Sequence, residues 1–179
     1  MRHIFLSALL FVAVLGAHVE AYAETNIAVV DVQRLLTESK AAKSIYTQRQ
    51  ANREAFLDKI SHQEQILRDE EKELVAEQKK LSAEDFGKKR QSYEKKILEA
   101  RRMAQTHKRK IEEASKKAMD TLRDQLYLTV QSIADEKGYD LVISSRDVIA
   151  GAKSLDITEE TLQRMNKNVS DIKLDIAPD

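Results

Sequence analysis

The chain has 179 residues, of which 34% are charged and 5% aromatic, and its 30 basic side chains are balanced by 30 acidic ones. It has no Cys or Trp, one Pro and four Gly, which excludes disulfides, thiol catalysis and Cys-based metal sites and describes a long-helix protein better than a compact globule. The zero net charge gives no reason to expect nucleic acid as a partner.

Arg2 and His3 precede an apolar run from Ile4 to Ala17, and Ala21-Tyr22-Ala23 supplies a small-x-small cleavage site. Residues 1–23 are therefore expected to be a cleavable export signal, since the run is shorter than the roughly 20 apolar residues a bilayer-spanning helix needs. The mature chain is therefore expected to be exported.

Asn26 to Asp31 is a β-branched run expected to form a strand buried on both faces. From Val32 to Lys80 there is no Gly or Pro, and the residues are good helix formers; this predicts one long helix, with room for a break. Ile60, Leu67, Leu74 and Leu81 recur every seven residues, but Gln63, Glu70 and Glu77 stand where a coiled-coil seam wants apolar side chains. Ser82, followed by Asp85, predicts a turn and a new N-cap, with Leu81 and Phe86 placed as a hydrophobic staple.

The second helix is predicted to run from Ala83 to Lys137 and to end at Gly138, a left-handed cap. Tyr93, Ile97, Ala100, Ala104, His107, Ile111, Ala114 and Ala118 fall on one face at steps of four and three. The first arm is acidic around Asp69-Glu70-Glu71 and the returning arm basic around Lys88-Lys89-Arg90 and Lys95-Lys96. Opposite signs should face each other across an antiparallel hairpin, fixing register more than stability.

After Gly138, Tyr139 to Ser144 and Val148 to Ala152 each predict a strand, with Ser145-Arg146-Asp147 as the turn between them. Asp156 and Glu159 stand in capping-box spacing before a short helix ending near Asn166. The tail alternates Ile172, Leu174 and Ile176 and suits either an edge strand or a disordered end. The expected fold class is α+β: a three-stranded β module from residues 24–31 and 138–168, a helical hairpin arm over 32–137 turning near 81–83, and a tail over 169–179. Such a small sheet is marginal alone, so the body is expected to associate through Ile27, Val29, Leu141, Ile143 and Val148. Closed cyclic symmetry is favoured, with copy number left open.

The strand Ile27-Ala28-Val29-Val30-Asp31, the charged hairpin, Tyr139-Asp140-Leu141-Val142-Ile143 and Asp156-Ile157-Thr158-Glu159-Glu160, in this order and spacing, resemble the Skp (OmpH-like) family of periplasmic chaperones. The resemblance implies a homotrimer with a β-barrel body and three helical tentacles around a cavity for unfolded outer-membrane proteins. Two features depart from it: the neutral charge balance, where the family is often basic, and the tail after Asn168.

On this reading Phe56, Leu57, Ile60, Phe86, Tyr93, Ile97 and Met103 are the candidate client contacts, scattered apolar groups among many charges. They equally suit packing within the hairpin. Lys108-Arg109-Lys110 is a candidate contact for lipopolysaccharide or anionic headgroups. No enzyme is expected, because His62 and His107 are isolated and no glycine-rich phosphate loop exists. Neither cofactor nor metal is implied, and action is expected to be ATP-independent. The competing reading is a coiled-coil envelope adaptor for a folded partner, which would want the continuous apolar seam that Glu70 and Glu77 interrupt.

Overall fold

The structure is a computed structural model and describes residues 25–177; the expected export signal lies outside these residues. The elements are β1 (Ile27–Val30), α1 (Val32–Glu38), α2 (Lys40–Glu77), α3 (Ala83–Lys137), β2 (Leu141–Ser144) and α4 (Thr158–Asn168), with short 3-10 turns at Ser145–Asp147 and Lys153–Leu155. Asp31 caps α1 by accepting from the Arg34 amide at 2.9 Å. The helix breaks once, at Ser39, whose backbone is extended and whose buried hydroxyl accepts from the Ala42 amide to start α2. A buried side-chain cap thus replaces backbone bonds at the bend.

At the tip, the Ser82 Oγ accepts from the Asp85 amide at 3.1 Å and donates to the Asp85 carboxylate at 2.6 Å. The acidic residue of the cap returns its bond to the hydroxyl and leaves the Ser82 backbone alone. Gly138, at φ +67°, closes α3 in the left-handed region. At about 1.5 Å per residue, the 38 residues of α2 and 55 of α3 run about 57 and 83 Å. The excess of α3 carries it past the hairpin into the body.

β1 and β2 pair in parallel, Ile27 opposite Leu141 and Val30 opposite Ser144. Parallel neighbours need a long crossover, and here the whole hairpin supplies it. β1 is buried on one face only, at Ala28 and Val30, which corrects the expectation of a strand buried on both faces.

The third strand expected over Val148–Ala152 does not form. The Ser144 hydroxyl accepts from the Arg146 amide, and the 3-10 bonds Val148 N–H to Ser145 and Leu155 N–H to Ala152 consume the flanking groups. Among the described residues the run has no ladder partner, and Ile149 is fully exposed. The place beside β1 is taken by the segment before α4, where the Ile157 amide donates to the Val29 carbonyl at 2.9 Å. α4 begins at Thr158 without a side-chain cap; Asp156 accepts from the Thr158 amide, and no capping box reaches Glu159.

The core joins β1, α1, the roots of α2 and α3, and α4. Leu35, Leu122 and Ile133 are wholly enclosed and Met165 nearly so. The sheet is thus one wall of a mainly helical core, not the whole body. The tail is extended but unladdered, with Ile172 and Leu174 buried against the hairpin root.

Candidate functional site

Two surfaces stand out, the hairpin arm and the outer face of the body. Along the arm, the predicted face of α3 does turn inward: Tyr93, Ile97, Ala100, Ala104, His107 and Ile111 are half-buried, and Ala114 and Ala118 fully so. Small side chains let the helices converge at the root. Between Ile45 and Ala114 no side chain is buried.

The polar interruptions of the seam have a structural use. Glu77 pairs with Lys89 and Glu70 with Lys96 across the hairpin, each carboxylate about three-quarters covered. Glu77, as hydrogen-bond acceptor, holds Lys89 protonated more firmly than an ordinary lysine. Between these pairs the Tyr93 phenol is pushed up by burial and by the carboxylates of Glu71 and Glu70. Most other ion pairs tie one helix to itself, as Glu84–Lys88 and Arg90–Glu94 do.

Of the candidate client contacts, Leu57 is 54% exposed, whereas Phe56, Ile60, Phe86, Tyr93, Ile97 and Met103 are half-buried. Ile60 and Ile97 line one groove with Leu67 and Ala104. Phe56 stacks on His107, ring centroids 3.6 Å apart and planes nearly parallel, while His62 is exposed. Beside that stack a groove of about 560 Å³ is lined by Arg49, Arg53, Leu57 and Ile111. Exposed Ile66, Val75 and Leu98 were not anticipated. Their signal was an apolar residue lying off the seven-residue stripe, where helix packing gives it no use.

Lys108 and Arg109 are exposed and lie 3.9 Å from Glu112 and Glu113 on the next turn; Lys110 is half-buried. Lys108 and Arg109 thus each have an acidic neighbour, so their positive field is local. Among the described residues no group of three or more His, Asp or Glu is placed to hold a metal ion, and no helix is long and apolar enough to cross a membrane.

On the body, Leu141 is 50% exposed and Ile27, Val29, Ile143 and Val148 are partly so. Together with exposed Ile149 they leave apolar surface uncovered near the outer edge of β2, which has no ladder partner among the described residues, the situation that favours pairing with another chain. A clasp missed by sequence reading fixes the body behind it. Arg164 bridges Glu136 and Glu160, and Lys137 reaches Glu160; the Arg164 guanidinium and the Lys137 ammonium hold Glu136 and Glu160, respectively, below the ordinary carboxylate range.

Comparison with known proteins agrees with this architecture. Residues 26–165 match the family described as Outer membrane protein (OmpH-like). A Skp-like protein of Pseudomonas aeruginosa PAO1 is 26% identical over 163 residues, covering 91% of this chain and 97% of that protein. The crystal structure of an OmpH-like protein from Caulobacter crescentus CB15, described there as a candidate outer membrane chaperone, superposes with a TM-score of 0.80 over 87% of this chain and 92% of its own, at 14% identity. This last likeness speaks for the fold. With a family match that spans most of the chain and a fold that agrees with it, the protein belongs to the Skp (OmpH-like) family.

Proposed function

We propose that this protein is an ATP-independent holding chaperone of the periplasm, which shields unfolded outer-membrane proteins between helical arms and works as a homotrimer. The observation that carries the reading is the arm itself: no side chain between Ile45 and Ala114 is buried, while Leu57, Val75 and Leu98 are each more than half exposed. Such an arm keeps apolar surface available and dilutes it with charge. Many weak contacts spread over two long helices hold a guest tightly in sum and loosely at each point.

Unfolded barrel strands alternate apolar and polar residues and aggregate through their edges. Covering them needs area more than a shaped pocket. Release follows when membrane insertion offers the guest a lower free energy, so no nucleotide and no catalytic step enters. The uncovered face of Ile27, Val29, Leu141, Ile143 and Val148 supports association of the bodies, and the Lys108-Arg109-Lys110 stretch supports a subsidiary contact with lipopolysaccharide or anionic headgroups. A coiled-coil adaptor fits less well, because the seam carries Glu70 and Glu77 as ion pairs.

Light scattering tests the function. The mature chain at near-stoichiometric trimer should suppress aggregation of an outer-membrane barrel diluted from urea, with no added nucleotide. Equal protection of an unrelated soluble protein, or a sedimenting monomer at micromolar concentration, would defeat the reading.

A further inference from the structure

The matched family region ends at residue 165, yet the chain continues and folds back onto the arm. Residues 171–175 lie along the hairpin root with exposed and buried side chains alternating, Ile172 and Leu174 being buried, and Ile176, whose amide turns back to the Leu174 carbonyl at 3.1 Å, packs against the same cluster. Gln48 of α2 meets this segment by its backbone: its Nε2 donates to the Ile172 carbonyl at 2.8 Å, and its Oε1 accepts from the Leu174 amide at 2.9 Å. A side-chain amide carries the same donor and acceptor as a peptide group, so Gln48 stands where a neighbouring strand would. The remaining polar ties go to side chains of the segment: Gln48 Nε2 also donates to the Asp171 carboxylate at 3.3 Å, Ser44 donates to the same carboxylate, and Lys117 lies 3.8 Å from Asp175.

What this groove recognises is therefore general. It asks for an extended backbone, which Gln48 reads through the Ile172 carbonyl and the Leu174 amide, and for apolar side chains at every second position, which the buried cluster that includes Ala114 and Ala118 accepts. Polar residues Lys173 and Asp175 face out and are exposed. A membrane-spanning strand of an outer-membrane barrel has that same dyad pattern. A chain that ended at Met165 would leave the groove open.

We propose that the groove at the hairpin root is a binding site for one extended, alternately apolar strand of an unfolded outer-membrane protein, and that the tail occupies it in cis as a displaceable substitute. This rests on the holding-chaperone reading and adds to it a site and a competitor. The tail then sets a threshold: a guest must displace it, and its apparent affinity falls by the fraction of time the groove is free.

Amide exchange on the full chain tests this with an unfolded outer-membrane β-barrel protein as the probe. The Leu174 amide should exchange on the order of tenfold faster once the guest saturates the groove. The Ile157 amide, bonded to Val29 in the body, should keep its protection and so exclude general unfolding. A Leu174 amide that stays protected while light scattering in the same sample is suppressed overturns the proposal and leaves the chaperone reading standing; failure of suppression strikes that reading instead. As a second measurement, the full chain carrying Ile172→Asp and Leu174→Asp should bind the same guest on the order of tenfold more tightly. Unchanged or weaker binding by a variant whose circular dichroism remains native would show the tail to be a fixed brace, and should that variant not fold, the exchange result alone decides.

Discussion

The body and the arm of this protein are built from similar residues under different rules. In the body, Leu35, Leu122, Ile133 and Met165 are enclosed, and one loss is felt by all neighbours. Along the arm between Ile45 and Ala114 every side chain retains some contact with water, and charged pairs complete what apolar seams do elsewhere. The contrast teaches that a chain can combine a cooperative anchor with an extension whose stability is assembled from small, local terms.

Three perturbations sharpen that contrast. The largest effect belongs to Leu122→Ala, which removes a fully buried side chain from α3 where it joins the core; a loss of about 2 to 5 kcal/mol is expected, read as a lower urea midpoint for the whole chain. A cost below about 1 kcal/mol would mean the enclosure is loose.

Acid comes next. Asp156 is held low by its hydrogen bond with Thr158, Glu160 by Lys137 and Arg164, and Glu136 by Arg164. Carboxyls depressed in the folded state stabilise it fully above their unfolded values of about 4, and the contribution is lost as pH falls through the folded ones. The melting temperature should therefore be flat from neutrality to about pH 5 and decline below about pH 4.5. Arg164→Met should lower the plateau and make that decline shallower. Asp69 on the arm is also held low, by Gln65 and Lys72, but it ties α2 only to itself and should contribute little to the body's melting.

The smallest effect is at the tip. A double-mutant cycle of Glu77→Gln and Lys89→Met should give a coupling of about 0 to 1 kcal/mol, shrinking with added salt. It should register in amide exchange near Ser82 and leave the global midpoint in place. A coupling as large as the Leu122 effect would place arm and body in one cooperative unit.

Local chemistry made most of the helical architecture legible. The turn at Ser82, the stop at Gly138 and the inward face from Tyr93 to Ala118 depend on neighbours three or four residues away. What was misread depended on distance. Val148–Ala152 has the composition of a strand but no ladder partner among the described residues, and Asp156 has capping-box spacing but satisfies Thr158 instead. Of the candidate contacts, sequence found the apolar residues of the arm but not which are outward: Leu57 is, whereas Phe56 is taken up by His107.

The sequence by itself determined the turn at Ser82, the stop at Gly138 and the face by which the two long helices pair, because caps and periodicity act over a turn or two; the break at Ser39 and the uncapped start of α4 were not placed by it. Only the tertiary structure decided which β-branched run found a ladder, that Arg164 would clasp Glu136 and Glu160, and that the tail would lie on Gln48. Those outcomes join residues far apart in the chain, and a hydrogen bond or ion pair of that kind is fixed by where the packed helices bring its partners, not by the residues on either side of it.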